Sequence, residues 1–271
     1  MNSSTIVTVY AVIDDVLKLM NYEDDTRAKL SAAEILTVAV ISAHQFQNQH
    51  ERTLGVMSGL GYIGQFSVLR FNRRLHALGH VLLEVVAALS ELLAEGTIYI
   101  IDAMPLPTCH WVRRDRCKKV HGRAYEGYSA SKEQRFFGFQ LHLVCDAHGI
   151  PVAFDILPAK WDELVPVQHL LAELPEGSRV VADKGYVSQK DELMSARAGV
   201  RLIPKYRKNM RGNSQEDRQL IRQHRSTIET VNSQLEKMGV QRLHARSQLG
   251  FGLKVMASLV ALIFKRIIRA C

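Results

Sequence analysis

At Gly96 the hydrophobic pattern of this 271-residue chain switches from helical to extended, and that switch constrains the fold more than any single motif does. Before it, apolar residues recur at helical spacing. Val12, Val16, Leu19 and Met20 form one stripe. Ile35, Val38, Ala39 and Ser42 form another, behind the capping-box spacing Ser31-x-x-Glu34, and Leu75 through Leu93 is long and apolar, with Gly79 and Gly96 as its bounds. The stretch Gly55 to Gly64 carries Gly55, Gly59, Gly61 and Gly64 but lacks both the Gly-x-Gly-x-x-Gly spacing and the lysine of a phosphate loop. Turns between short helices account for it. The arginines of Phe71-Asn72-Arg73-Arg74 either face DNA from a helix or lie on an ordinary solvated face.

After Gly96, Thr97-Ile98-Tyr99-Ile100-Ile101 is a β-branched and aromatic run that ends at Asp102, and Pro105 and Pro107 are expected to stop it. Phe136 to Cys145 and Ile150 to Leu157 predict two more strands, joined by a turn at Asp146-Ala147-His148-Gly149, in the order of an antiparallel meander. A helix is predicted over 163–174. A very short strand, Arg179-Val180-Val181-Ala182, then ends at Asp183. A helix over 189–198 leads into Val200-Arg201-Leu202-Ile203, which Pro204 stops. From Pro204 to Asn213 the chain is basic and polar and reads as an exposed loop; helix resumes at about Gln215, with Ile228, Val231 and Leu235 on its apolar face. Helices, three strands, helix, strand, helix, strand, helix is an α/β order.

Charge narrows the partners. The net charge is +8 and the pI about 9.4, which favours an anionic partner. Residues 1–96 hold 7 Lys and Arg against 10 Asp and Glu, a net of −3, whereas residues 201–271 hold 15 against 4, a net of +11. A nucleic-acid surface would therefore draw on the C-terminal third. Cys109, Cys117, Cys145 and Cys271 are irregularly spaced with no signal peptide, so reduced cytoplasmic thiols are expected. Cys109, His110, Cys117 and His121 lack the close pairs of a structural zinc site and read as loop or core residues. The apolar tail Val255–Phe264 is too short for a bilayer span and fits a buried terminal helix; no membrane is expected as a partner.

Asp102 and Asp183 each follow an apolar strand, where side chains sit at the rim of a sheet. If the strands are adjacent, the two carboxylates can meet, and a helix carboxylate could complete a site for hard divalent cations, which take oxygen ligands. Two such ions roughly 3.5–4 Å apart can activate the attacking oxygen and stabilise the leaving oxygen in phosphoryl transfer. Turn or helix-cap roles compete for both aspartates. For Glu229 the residues alone favour a solvated position paired with Arg222 or Arg225.

These residues lie in blocks that resemble the DDE transposases of bacterial insertion sequences, most closely the insertion sequence 982 family. The blocks are Tyr99-Ile100-Ile101-Asp102-Ala103-Met104-Pro105-Leu106-Pro107, Lys132 to Leu143, Val181-Ala182-Asp183-Lys184-Gly185-Tyr186, Ile228-Glu229-Thr230-Val231-Asn232-Ser233-Gln234-Leu235-Glu236, and His244-Ala245-Arg246-Ser247. They keep the family's order over about residues 97–264. The resemblance implies a ribonuclease-H-like mixed sheet with flanking helices, spanning 97–271 with a basic C-terminal helical part, preceded by a helical DNA-binding region at 1–96. It implies Asp102, Asp183 and Glu229 as catalytic metal ligands for Mg²⁺, which Mn²⁺ can replace. It also implies transposon-end DNA and target DNA as partners, a homo-oligomer on DNA, and a cytoplasmic protein associated with the nucleoid when bound.

In that setting Arg113, Arg114, Arg116, Lys118 and Lys119 are expected to contact phosphate, as are Lys205, Arg207, Lys208 and Arg211, where charge runs without aromatic interleaving. Lys184 and Tyr186 either position phosphate and terminal bases or, for Tyr186, pack behind the turn. Arg222 and Arg225 either orient Glu229, approach a phosphate or pair charge elsewhere. His142 is expected to be structural or groove-facing. Two other functions share these features: a ribonuclease-H-like nuclease that only hydrolyses nucleic acid, and an inactive transposase-derived DNA-binding protein.

Overall fold

The computed structural model describes residues 3–129, 132–207, 209, 210 and 212–270. Lys208 and Arg211 of the expected DNA-binding set, and Cys271, lie outside the described residues. In chain order the elements are α1 (Ser3–Leu19), α2 (Ala32–Phe46), α3 (His50–Gly59), α4 (Val68–Ala77), α5 (Gly79–Leu93), β1 (Ile98–Cys109), β2 (Glu126–Ser129), β3 (Gln134–Asp146), β4 (Pro151–Pro158), α6 (Val167–Ala172), β5 (Arg179–Ala182), α7 (Gln189–Arg197), β6 (Arg201–Pro204), α8 (Gln215–Lys237) and α9 (Gln248–Ala270). They divide into two compact units, one of Met1–Leu92 with Gln234–Cys271 and one of Leu93–Ser233.

The first unit is helical. Its centre is α2, which buries Ile35, Leu36 and every residue from Val38 to Ile41 completely, with α1, α3 and α9 packed around it. Full burial of such a side chain contributes roughly 1.5–3 kcal/mol, so the apolar face holds this unit together. The helix starts at the expected capping box: Ser31 Oγ accepts from the Glu34 amide at 3.1 Å, and Glu34 Oε2 accepts from the Ser31 amide at 2.7 Å. Between α2 and α3, Asn48 adopts a left-handed φ of 63° and is buried. Its Nδ2 donates to Met238 O and to Ser258 Oγ, both at 3.1 Å, and Lys254 Nζ donates to its carbonyl at 2.7 Å. These bonds tie α9 to the α2–α3 turn, and Val255 and Ala257–Phe264 are wholly buried, as expected for the apolar tail.

Two expectations change here. On α1 the buried stripe is Ile6, Val9, Ile13, Val16 and Leu17, and Leu19 is exposed. The 3.6-residue period puts Ile13, Val16 and Leu17 on one face and carries Leu19 round to solvent. The run from Leu75 to Leu93 is two helices bent by 64° around Leu78. On α4, Phe71 is buried and Arg74 pairs with Asp24, which gives Arg74 an internal partner. Among the described residues no single helix is long and apolar enough to cross a membrane.

The second unit is a mixed sheet flanked by helices, an α/β arrangement of the ribonuclease-H-like kind. Its strands run in the order β2-β3-β1-β5-β6, with β4 also paired to β3. The meander β1, β3 and β4 is antiparallel; β5 and β6 add to it in parallel. One face is covered by a core of Tyr99, Ile101, Val180, Ala182 and Leu202 with Val167, Leu170 and Leu171 of α6. The β3–β4 turn is held by Asp146, whose carboxylate accepts from the amides of His148 at 2.9 Å and Ile150 at 2.8 Å, with Gly149 at φ 81°. Only at such a φ is glycine's freedom required.

Pro105 and Pro107 do not stop β1, which runs on to Cys109 in register with β3. Parallel pairing to β5 involves only Ile98–Ile101. Beyond it the other side of β1 has no strand partner among the described residues, and two prolines of equal parity can turn their missing N–H groups there. The helix predicted over 163–174 shrinks to Val167–Ala172, because Asp162 holds a turn by accepting from the Leu164 amide at 2.9 Å and Pro166 stands at the N-cap. The strand β2 has no counterpart in the sequence pattern; four residues with Gly127 among them show too little alternation to register.

Candidate active site

Parallel pairing of β1 with β5 sets the site. Ile101 is level with Ala182, so Asp102 and Asp183 follow side by side at the point where the pairing ends. Asp102 is thus inside a long strand, at the end of its β5 ladder, while Asp183 leaves β5 in extended geometry and opens the turn Lys184–Tyr186. The face opposite the α6 core meets α8. There Ile100, Ile101, Asp102, Val181, Ala182 and Asp183 line a small cavity of about 70 Å³ with Lys205, Ile221, Arg225, Ile228 and Glu229. Ile221 and Ile228 are buried, which sets the helix against the sheet and leaves Arg225 and Glu229 on its exposed edge.

Each carboxylate has a different environment. Asp102 is half-buried, and its Oδ2 accepts from Asn232 Nδ2 at 2.9 Å. Burial pushes its carboxyl up to about 6; the Ala103 amide and Asn232 oppose that rise, and the charges of Asp183 and Glu229 add to it. Asp183 and Glu229 are exposed. Glu229 Oε1 accepts from Arg225 Nε at 2.8 Å, one turn away on α8. That bond raises the Arg225 guanidinium, and the charges of Asp183, Glu229 and Asp102 add to the rise.

Glu163 belongs to the same neighbourhood, although the sequence pattern marks it only as the start of the helix expected over 163–174. A β-carbon on Gly185 would overlap Glu163 Oε2, so this carboxylate lies directly against the backbone two residues after Asp183. Burial pushes it up to about 7, helped by the charges of Asp102, Asp162 and Asp183. Behind the same turn, Tyr186 is completely buried, and its Oη has no hydrogen-bond partner among the described residues. Burial raises its phenol well above the usual value, and the charges of Glu163, Asp102 and Asp183 contribute. The packing alternative for Tyr186 therefore describes its position.

The donor set fits a hard divalent cation by chemistry: oxygen ligands at a strand junction, with concentrated negative charge that a cation would relieve. As the side chains stand, no three His, Cys, Asp or Glu side chains among the described residues are grouped closely enough to hold an ion.

The basic residues separate by environment. Lys205, Tyr206, Arg207, Met210, Gly212, Asn213, Arg218, Ile221, Arg222 and Arg225 line a second, wider cavity of about 510 Å³ that shares Lys205, Ile221 and Arg225 with the first. Tyr206 brings an aromatic ring into a segment read as charge alone; its Oη donates to Glu192 Oε2 at 2.5 Å. Lys184 is exposed beside Asp183. Arg113, Arg116 and Lys118 are exposed, whereas Arg114 stacks on Trp111 at 4.7 Å and approaches Glu126 at 3.9 Å, and Lys119 Nζ donates to Thr108 O at 2.6 Å. His142 is fully buried on β3.

A mixed sheet whose adjacent strands present aspartates beneath a helix carrying a glutamate and arginines is an arrangement suited to phosphate chemistry. Residues 94–248 match the family described as "Transposase DDE domain", and the chain belongs to that family. No curated protein matches it. Among solved structures, the piggyBac transposase in a cryo-EM synaptic complex with hairpin DNA is similar at a TM-score of 0.49 and 11% identity, covering 99% of this chain and 74% of that one.

Proposed function

We propose that this chain is a DNA transposase that cuts transposon ends and joins them to target DNA, using Asp102, Asp183 and Glu229. The observation that carries the reading is that these three carboxylates, from β1, the end of β5 and α8, line one cavity together with Lys205 and Arg225. The ordered sequence blocks support the narrower assignment to the insertion sequence 982 branch. Mg²⁺, or Mn²⁺ in its place, would supply activation of the attacking oxygen and neutralisation of the leaving one; Asp102, Asp183 and Glu229 would hold it. Asn232 fixes the orientation of the Asp102 carboxylate. Arg225 and Lys205 offer positive charge where a scissile phosphate would lie, and Lys184, Arg207 and Arg222 extend that charge along a backbone. Water is the nucleophile for cleavage and the freed 3′-hydroxyl for joining, so no covalent protein–DNA intermediate forms. Joining two ends requires at least two protomers on DNA, in the cytoplasm at the nucleoid.

A second reading has its own observation. Glu229 is engaged by Arg225 and no ion-holding group is assembled among the described residues, which favours a transposase-derived protein that binds DNA without cutting it. An assay with Mg²⁺ and DNA carrying the element ends decides. Cleaved and joined products that vanish in Asp102→Asn and Asp183→Asn, with end binding retained, are expected. Hydrolysis without joining would make the protein a nuclease, and binding with no products in any condition would establish the second reading. Neutralising Lys205 and Arg207 together should weaken binding to unrelated duplexes alike and reduce the salt slope by about 2; loss confined to one base pair would contradict backbone contact.

A further inference from the structure

Asp102 and Asp183 do not stand alone on their rim. Glu163 approaches from the loop between β4 and α6, and its carboxylate packs on the α-carbon of Gly185, where any larger residue would displace it. Its charge acts on Tyr186 more strongly than that of either aspartate. Tyr186 is wholly buried behind the turn with its hydroxyl unpartnered among the described residues, and the charges acting on it are those of Glu163, Asp102 and Asp183. A buried hydroxyl without a partner is costly, and this one lies behind the turn that carries Asp183 and Gly185, where a polar ligand would satisfy it. We infer that Glu163 is a fourth carboxylate of the cation site, holding a divalent ion together with Asp102 and Asp183. This rests on the metal-dependent reading proposed above.

The geometry suits that role. Asp102 and Asp183 are fixed by the β1–β5 register, whereas Glu163 sits in a turn pinned by Asp162 and has one more methylene of reach. As they stand, no three carboxylates among the described residues are grouped closely enough to hold an ion, so holding one would require these side chains to turn towards it. Gly185 keeps the space that the carboxylate occupies. Glu163 also differs from Glu229 in having no ion-pair partner among the described residues, whereas the Arg225 guanidinium must leave Glu229 before that carboxylate can ligate.

The test is calorimetric titration of Mn²⁺ into the full chain, with and without duplex DNA, alongside circular dichroism and the Mn²⁺-induced shift in thermal midpoint. Wild type is expected to bind. Glu163→Gln, which keeps shape and removes charge, should lose at least tenfold in affinity and most of the midpoint shift, while Glu163→Asp should retain more of both. Gly185→Ala keeps every carboxylate in the chain but pushes that of Glu163 aside, and it should weaken binding as well; it decides the matter if Glu163→Gln does not fold. Equal affinity in wild type, Glu163→Gln and Gly185→Ala would overturn the inference and leave the proposed function standing. No Mn²⁺ binding by wild type under either condition would overturn both.

Discussion

A neutral histidine sealed inside a sheet makes this chain sensitive to acid. His142 is completely buried on β3, level with Ala103 on β1 and Asp155 on β4, and neither ring nitrogen has a hydrogen-bond partner among the described residues. Burial lowers its pKa from 6.5 to about 4, against the opposing charge of Asp155. Unfolded chain gains the proton as the pH falls through 6.5, whereas folded chain resists it until about 4. Stability contributed by this position is thus complete above 6.5 and declines towards 4, by on the order of 1–3 kcal/mol. His142→Leu should flatten that decline, seen as a smaller difference in thermal midpoint between pH 7 and pH 5; an unchanged difference would refute the account. The acidic residues differ in how far sequence exposes them. Asp102 and Asp183 stand out because apolar strands end their patterns there. Glu229 lies on a polar helix edge and is reached only through resemblance. Glu163 sits in a turn where the sequence pattern suggests the start of a helix, and Asn232 meets Asp102 across 130 residues of chain, a proximity that no local pattern encodes.

Elements with a strong period are the legible ones. The capping box of α2 and the Asp146–Gly149 turn follow from local chemistry, and the structure contains both. Length was harder to read where tertiary pairing decides it. β1 passes through two prolines because β3 supports it on one side only, and the helix before Ala172 is shortened by an Asp162 turn. Tight pairing of β1 with β3 has a checkable consequence at Gly138, where a β-carbon would overlap the Leu106 carbonyl and crowd the Thr108 amide. Backbone cannot yield as a side-chain tip can. Gly138→Ala should cost about 1–3 kcal/mol, measured by urea unfolding, and a neutral result would show that β1 shifts freely. At α2, Ser31→Ala should cost about 1 kcal/mol through loss of the cap, with a matching fall in the midpoint of the helical unit.

At the scale of the molecule, the sheet unit is formed by a continuous segment, residues 93–233, whereas the helical unit is assembled from 1–92 and 234–271. Removing residues 248–271 would strip the buried face of α9 from α2 together with the Asn48 bonds to Ser258 and Lys254. Hydrogen exchange should then accelerate throughout α2 and α3 and stay slow in β1 and β3; uniform acceleration would mean that the two units unfold as one. The Asn48 contacts also impose an order on biosynthesis. As the polypeptide leaves the ribosome, α2 emerges with α1 and α3 to pack on it but long before α9, which covers another part of its apolar surface. The sheet, by contrast, has all its strands in hand before that helix exists. The sheet can therefore be complete while the helical unit still waits for α9.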